Sequence, residues 1–521
     1  SITSVSGDYK YKKITYHYDS YDETIDFSQT GIGYFTEGSL LTERIFHDGP
    51  EEVYYRNFQT LKAYVPTKME SFTIEEDGFS KTVTNTAWDF ITGAVLETEY
   101  ENSLGDRFRS RSVPAYTKYP EMGHILVNAS NKHMLSKPAG EYLYVEKEDY
   151  PGQWDLLSAQ TTVWSDQWSY REHDDNIGEW VWGSVYPGDA WRQKETFVWK
   201  ANTNPDGTYK VGTSTTDDFV GFNWSNPAAN SQNWVSLGTV ENYDHNSVAV
   251  QQKSPRNIYS AQRLNNSNEY SVLSASNAKY TEVVFSGAED DIDTKGGREY
   301  FNQEVIKGSG SEIETNLNNV HTGRKSLEVE HQIDWGFVYE INDLSNNYDV
   351  NRKYQASVWV KNAVNPSTLP TSALYYIQFR NGTSILYQTT VRLSPSNSEK
   401  AGNWYKFTID IPVHDGSTVN ISSATHMAIQ INCNQNAGDK IYLDDFRFYP
   451  LESSLVTSVY DPDRGLKMAE LDNFNMATKF TYDAAGRVIR TEREVLDRYS
   501  STGKGGFKTI SENKYNYGRN L

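Results

Sequence analysis

The sequence predicts an all-β protein, and three observations carry that expectation. Short runs of alternating polar and apolar residues recur, as in Tyr11-Lys12-Lys13-Ile14-Thr15-Tyr16-His17-Tyr18 and Ser80-Lys81-Thr82-Val83-Thr84-Asn85-Thr86-Ala87-Trp88. Turn-forming clusters such as Asp48-Gly49-Pro50 and Asp77-Gly78 separate such runs, the pattern of antiparallel hairpins. No long segment keeps a helical period, and only the stretch 121–135 has room for one short helix.

Composition agrees. Aromatic residues make up 14% of the 521 positions, with 37 tyrosines, while the hydrophobic fraction is a modest 37%. Tyr, Trp, Val and Thr suit pleated, half-buried surfaces, so many strand faces share a thin core. The net charge of −20, from 69 acidic and 49 basic residues, repels phosphate backbones and argues against a nucleic-acid partner. The single cysteine, Cys433, excludes an intrachain disulfide and any multi-cysteine zinc site. It lies in the alternating run 427–433 and reads as a small buried hydrophobe on a strand. No apolar run approaches the ~18 residues that span a bilayer. The chain opens Ser1-Ile2-Thr3, as a mature product or a fragment would.

Four regions follow in order. Residues 1–150 form a series of hairpins. A unit of strand, Asp turn, Gly and strand appears at Asp89-Phe90-Ile91-Thr92-Gly93, followed by a second Gly turn at Asn102-Ser103-Leu104-Gly105-Asp106. It recurs at Tyr243-Asp244-His245-Asn246-Ser247, Tyr460-Asp461-Pro462-Asp463-Arg464-Gly465 and Tyr482-Asp483-Ala484-Ala485-Gly486-Arg487. Tyr packs on the sheet, Asp bonds its own downstream backbone, and Gly accepts positive φ. One hairpin buries too little alone, so such units stand side by side in an extended sheet.

Residues 151–280 continue that sheet and crowd nine tryptophans between Trp154 and Trp234; Trp180 and Trp182 share a strand face and read as packing groups. The polar loops 202–218 and 225–233 interrupt them. Residues 281–450 change texture, with strand-like runs at 282–289, 321–329, 354–361, 404–409 and 440–448 whose regular spacing predicts a two-sheet sandwich. Trp359 and Trp404 fall within such runs and read as core. Residues 451–521 return to hairpins.

Two resemblances sharpen this outline. Residues 482–487 resemble the YD repeat of Rhs-type proteins, and the wider phrasing at 115–123 and 276–290 resembles giant surface or secreted proteins of Bacteroidota. The order and spacing of the 281–450 strands, ending in Ile441-Tyr442-Leu443-Asp444-Asp445-Phe446-Arg447-Phe448, resemble the galactose-binding-like jelly roll of carbohydrate-binding modules. Together they imply degenerate YD-repeat sheets with an inserted jelly roll.

The jelly-roll resemblance implies a structural Ca²⁺ held by Glu289 and Asp444, with carbonyls near Thr322 and Gly323; hard oxygens in this number suit that ion. An acidic turn and an amide-bonded strand-end Asp is the alternative for those residues. The stretch Asp291-Ile292-Asp293-Thr294-Lys295-Gly296 mimics the start of a helix–loop–helix calcium loop, but Lys295 takes a ligand place and Asn302 stands where the closing Glu belongs. For glycan binding, the candidates are Trp335, Tyr339, Tyr375, Tyr376 and Tyr387 as platforms, with Gln378 and Arg380 as hydrogen-bonding groups; Tyr376 and Gln378 share a strand face.

Enzyme motifs are absent from the sequence: no His-Glu-x-x-His, no phosphate-binding glycine loop and no nucleophile elbow. His17, His245 and His321 stand isolated, and His173-Asp174-Asp175 reads as a polar turn. The expectation is a non-catalytic structural and adhesive segment of an exported protein, extracellular or on a bacterial cell surface, presenting the sandwich to a glycan or surface protein. The resemblance also implies export by type IX secretion and contact with an outer-membrane surface complex. Two alternatives stand beside it: part of an Rhs-type shell enclosing a toxin, and the carbohydrate-targeting module of a larger glycoside-active protein.

Overall fold

The computed structural model describes residues 2–5, 11–18, 35–46, 53–64, 68–76, 79–186, 188, 190–200, 221–231, 233–301, 304–331, 335–434 and 436–515. The turns at Asp48-Gly49-Pro50 and Asp77-Gly78, the loop 202–218 and Asn302 lie outside these residues. The fold is all-β. Among the described residues the only α-helix is the four-residue Leu344–Asn347. The stretch 121–135 carries no α-helix. It opens in the 3-10 turn Pro120–Met122, which ends at Gly123 in extended conformation.

By packing, the chain divides into two compact units, residues 1–165 with 193–237, and residues 166–192 with 238–521. In the first unit, Ile2–Val5, Tyr11–Tyr18, Met69–Glu76, Phe79–Trp88, Val95–Glu101, Arg107–Pro114, Pro138–Lys147 and Tyr150–Ser165 pair successively as antiparallel neighbours. Phe35–Phe46 and Val53–Tyr64 form a separate hairpin. One face of this unit packs Ala159, Val163, Phe197, Phe222 and Trp234 into an aromatic-rich core.

The second unit holds a like sheet and the sandwich. Ala249–Lys253, Tyr259–Leu264 and Ser271–Ser276 pair in turn. The next neighbour of Ser271–Ser276 is Ser454–Tyr460, with Leu273 opposite Thr457 and Ser276 opposite Ser454. Lys467–Leu471, Ala477–Tyr482, Val488–Val495 and Gly506–Glu512 extend the ladder. The intervening chain is therefore an insertion between two adjacent strands.

The turns show why these residues make hairpins. At Asp483 one carboxylate oxygen accepts the N–H groups of Ala485 and Arg487, both at 2.9 Å, and Gly486 takes φ +77°. Asp89 and Asp461 nucleate their turns in the same way, with Gly93 and Gly465 at positive φ. Further copies at Asn265 and Asp472 use Asn268 and Asn475 in the left-handed position instead of Gly. Tyr482 donates to the Lys467 carbonyl at 2.7 Å, and Tyr460 stacks on Tyr270 at 4.9 Å.

The insertion is a β-sandwich of two seven-stranded sheets. One runs Glu312–Glu314, Ser326–Glu330, Lys440–Pro450, Tyr354–Asn362, Trp404–Asp410, Ser398–Ala401, with Val284–Ser286 also on Lys440–Pro450. The other runs Asp293–Lys295, Arg298–Phe301, Val305–Lys307, Trp335–Asn342, His426–Cys433, Ala373–Asn381, Ser384–Arg392. Inward residues of both, among them Phe337, Tyr375, Ile377, Phe407, Ile429, Cys433, Leu443 and Phe446, share one core. The outer face of the first sheet is roofed by the turn at 472–475: Trp359 Nε1 donates to the Asn475 carbonyl at 2.9 Å, and Arg447 donates to the Asp472 and Leu471 carbonyls.

Candidate functional site

The open surface of the sandwich is the outer face of its second sheet, and register shows which side chains meet there. Row by row, Trp335 stands opposite Asn432, which stands opposite Leu374 and then Arg392. The next row is Val338, Gln430, Tyr376 and Thr390; the third is Glu340, Ala428, Gln378 and Gln388. The fourth sets His426 beside Arg380. Successive rows share a face because side chains alternate with period two. Part of this face is covered by the hairpin of Arg171–Asp174 and Glu179–Trp182. There Trp180 packs on Tyr300, Ile306 and Val338, and Glu179 pairs with His426 at 3.1 Å.

What remains open is a polar platform around one ring. Tyr376 Oη donates to Gln388 Oε1 at 2.9 Å and accepts from Gln378 Nε2 at 2.8 Å. Arg380 Nε and Asn432 Oδ1 are both screened from solvent without a protein hydrogen-bond partner. Trp335 is 52% exposed at the end of the first row.

The seven glycan candidates thus divide. Trp335, Tyr376, Gln378 and Arg380 lie on this outer face. Tyr339 and Tyr375 do not: both are 0% exposed in the core, and Tyr339 Oη donates to the Thr281 carbonyl at 2.7 Å. Adjacent positions on a strand face opposite ways, so only one of Tyr375 and Tyr376 can be outward. Tyr387, on the edge strand, packs half-buried against the core and is likewise no outer platform. Gln388, Gln430 and Asn432 belong to the platform although no motif in the sequence marks them. For Gln430 and Asn432 the one signal is the alternation in His426–Cys433, where Ile429 and Ile431 take the core side.

The residues expected to hold Ca²⁺ do converge. Glu289 Oε1 accepts the N–H groups of Arg324 and Lys325, each at 2.6 Å, while its Oε2 is buried without a partner. Gly323 adopts φ +68°, and a Cβ there would lie 2.1 Å from Glu289 Oε1, so the close approach requires glycine. Asp444 accepts from the N–H groups of His321 and Thr322 through Oδ2, and from that of Asp445 through Oδ1. Burial pushes the Glu289 carboxyl up to about 8, with the Asp445 charge adding to it, against the two amide bonds. Burial, then the charges of Asp445 and Glu289, raise Asp444 well above the carboxylate range. Among the described residues no three His, Cys, Asp or Glu side chains form a group that could hold a metal ion. Asp293–Lys295 is a hairpin strand with Lys295 paired to Asp293, as an ordinary acidic loop would be.

His321, isolated in sequence, is central in space. Its Nδ1 meets Asp445 Oδ2 and its Nε2 meets Glu494 Oε1, both at 2.7 Å, and its ring stacks on Trp359 at 4.2 Å. Burial works against the imidazolium, but the Glu494 and Asp445 partners outweigh it and raise the pKa. The three groups come from the loop after 319, the last sandwich strand and a hairpin of the outer ladder, a union no local spacing announces.

No protein-family description matches the chain, and no curated protein does. Solved structures similar to part of it include the CBM22-1 xylan-binding domain from Paenibacillus barcinonensis Xyn10C, at 12% identity over 32% of this chain and 93% of that one, with a TM-score of 0.21. TmCBM61 in complex with β-1,4-galactotriose matches at 12% identity over 28% of this chain and 86% of that one, TM-score 0.18. Caldicellulosiruptor saccharolyticus CBM27-1 in complex with mannohexaose matches at 12% identity over 27% and 82%, TM-score 0.17.

Proposed function

We propose that this chain is a non-catalytic structural and adhesive segment of an exported surface protein, and that its sandwich binds a glycan on the outer face of the second sheet. The observation that carries this reading is the platform itself: Tyr376 wired to Gln378 and Gln388, with Trp335 half-exposed on the same face. A sugar ring offers an apolar face for the aromatics and hydroxyls for the amide groups of Gln378 and Gln388. The ladder of hairpins acts as the mount, and a partner at the bacterial surface, including a secretion-associated complex, is the setting that the YD-repeat resemblance suggests.

Glycan-array binding by the full chain tests the proposal. Tyr376→Ala is expected to weaken any hit about tenfold, a loss of about 1.4 kcal/mol. A blank array, or a hit indifferent to Tyr376 and Arg380, would reject it.

The same reading includes a structural Ca²⁺ beside Glu289 and Asp444, with carbonyl oxygens of Thr322 and Gly323 in its shell. The unpartnered Glu289 Oε2 supports it, since a cation there would satisfy the oxygen and offset the mutual repulsion of the carboxyls. Two carboxylates make a weakly charged site, so the expected response is a rise in Tm with millimolar CaCl₂ that Glu289→Gln abolishes. An unchanged Tm in the native chain would leave these residues as an amide-bonded turn.

A further inference from the structure

On the far side of the sandwich from the platform, a lysine, an asparagine and a glutamate are assembled in a way the glycan reading does not use. Lys361 lies on Tyr354–Asn362 and is only 4% exposed. Its Nζ has two hydrogen-bond partners, both neutral oxygens: the Asn318 carbonyl and Asn319 Oδ1, the latter at 2.9 Å. Asn319 Nδ2 in turn donates to Glu314 Oε2 at 2.8 Å. The amide of Asn319 therefore sits between an amine at its oxygen and a carboxylate at its nitrogen.

This arrangement is held firmly. The other Glu314 oxygen accepts the Asn316 N–H at 2.7 Å, and the Asn316 side chain accepts from Asn318 N. Asn319 N–H donates to the Asn316 carbonyl, and the Asn319 carbonyl accepts from Ser326 Oγ at 2.8 Å. Lys361 is fixed from below by the strand pair that sets it opposite Tyr442, whose ring centre lies 5.9 Å from Nζ. Burial lowers the Lys361 pKa, with the Glu314 charge opposing, so the neutral, nucleophilic amine is favoured relative to a lysine in water.

We propose that Lys361 and Asn319 join in an intramolecular isopeptide bond, with Glu314 carrying the proton. The neutral Lys361 Nζ adds to Asn319 Cγ once the amide has turned about its Cβ–Cγ bond to offer its face. Glu314 takes the proton that the attacking nitrogen sheds and delivers it to Asn319 Nδ2. The Cγ–Nδ2 bond breaks and ammonia leaves, while the new Nζ–Cγ amide remains and Glu314 is returned unchanged. No oxidant, metal or cofactor enters the balance. The bond would staple the loop after Glu312–Glu314 to a central strand across 42 positions of chain.

Intact-mass spectrometry of the full chain decides the matter. The expected mass is below that of the sequence by one ammonia, about 17 Da, and a tryptic digest is expected to yield one branched peptide containing both Asn319 and Lys361. Glu314→Gln and Lys361→Met are expected to restore the full mass and lower the Tm. Asn319→Asp is expected to lose water instead, about 18 Da. A wild-type chain of full mass after prolonged incubation at mildly alkaline pH would overturn the proposal. So would a loss of ammonia in which Lys361 is still cleaved by trypsin, the mark of a cyclised asparagine. Should Lys361→Met fail to fold, Glu314→Gln and Asn319→Asp, which preserve size, still separate a cross-linked chain from an open one.

Discussion

Glu304 shows how single residues tie the insertion to its surroundings. It is fully buried between Arg171 at 3.0 Å and Arg263 at 2.7 Å, and Arg263 also donates to the Val283 carbonyl. Burial alone would raise this carboxyl, but the two guanidinium charges outweigh it and bring it down to about 2. A depressed folded pKa means the stabilisation is complete above the unfolded value of 4.5 and is lost as pH falls toward about 2. The difference is worth on the order of 3 kcal/mol. Urea denaturation is expected to show a loss of stability between about pH 5 and pH 2 that is smaller in Glu304→Gln, a variant already weakened at neutral pH. Equal acid slopes for the two would refute this assignment. None of this was legible in the sequence: Arg171, Arg263 and Glu304 are remote along the chain and sit in no motif.

At the scale of strands and turns, the sequence carried much more. The Asp turns at 89, 461 and 483 were readable because a Gly follows each Asp by three or four positions, whereas those at Asn265 and Asp472 hid behind an Asn in the left-handed position. Two glycines separate the costs involved. Gly486 at φ +77° has only Leu466 near a would-be Cβ, at 3.9 Å, so Gly486→Ala is expected to cost about 1 kcal/mol of backbone strain. Gly323→Ala meets Glu289 Oε1 at 2.1 Å and must displace a buried carboxylate, so its fall in Tm is expected to be clearly the larger. Similar Tm values for both variants would contradict the crowding at Gly323. The misplacement of Tyr339 has an equally local cause. Trp335 and Tyr339 are four apart and share a face in a regular strand, but a register shift between Trp335 and Val338 inverts the parity. Trp335 stays outside and Tyr339 turns in. Alternation fixes which residues go together; a bulge, invisible in sequence, decides which way they point.

Across the second unit, the sandwich is a module in outline but not in its packing. Arg447 is wholly buried on its outer face, lowered to about 10 by desolvation, and its two terminal guanidinium nitrogens donate to the Asp472 and Leu471 carbonyls of the ladder turn and to the Thr457 hydroxyl. Trp359 and His321 likewise reach partners in that ladder. An isolated segment 281–450 would bare a cation, an indole and an imidazole that are roofed in the full chain. It is expected to melt below the sandwich transition of the full chain, and Arg447→Met is expected to narrow that gap. Equal melting temperatures would mean that the roof contributes nothing. The sandwich could be anticipated from strand spacing, and its polar outer face in part from Tyr376, Gln378 and Arg380; its roof could not, because the contacts join segments separated by 116 and 173 positions.

The direct pairing of Ser271–Ser276 with Ser454–Tyr460 has a mechanical consequence. Tension passed sideways through the ladder is borne by those rungs, and the covalent excursion through the inserted domain stays slack until they tear. A ligand bound at the outer face, as proposed, would then be spared the pull on its mount, with the excursion held in reserve as extra length.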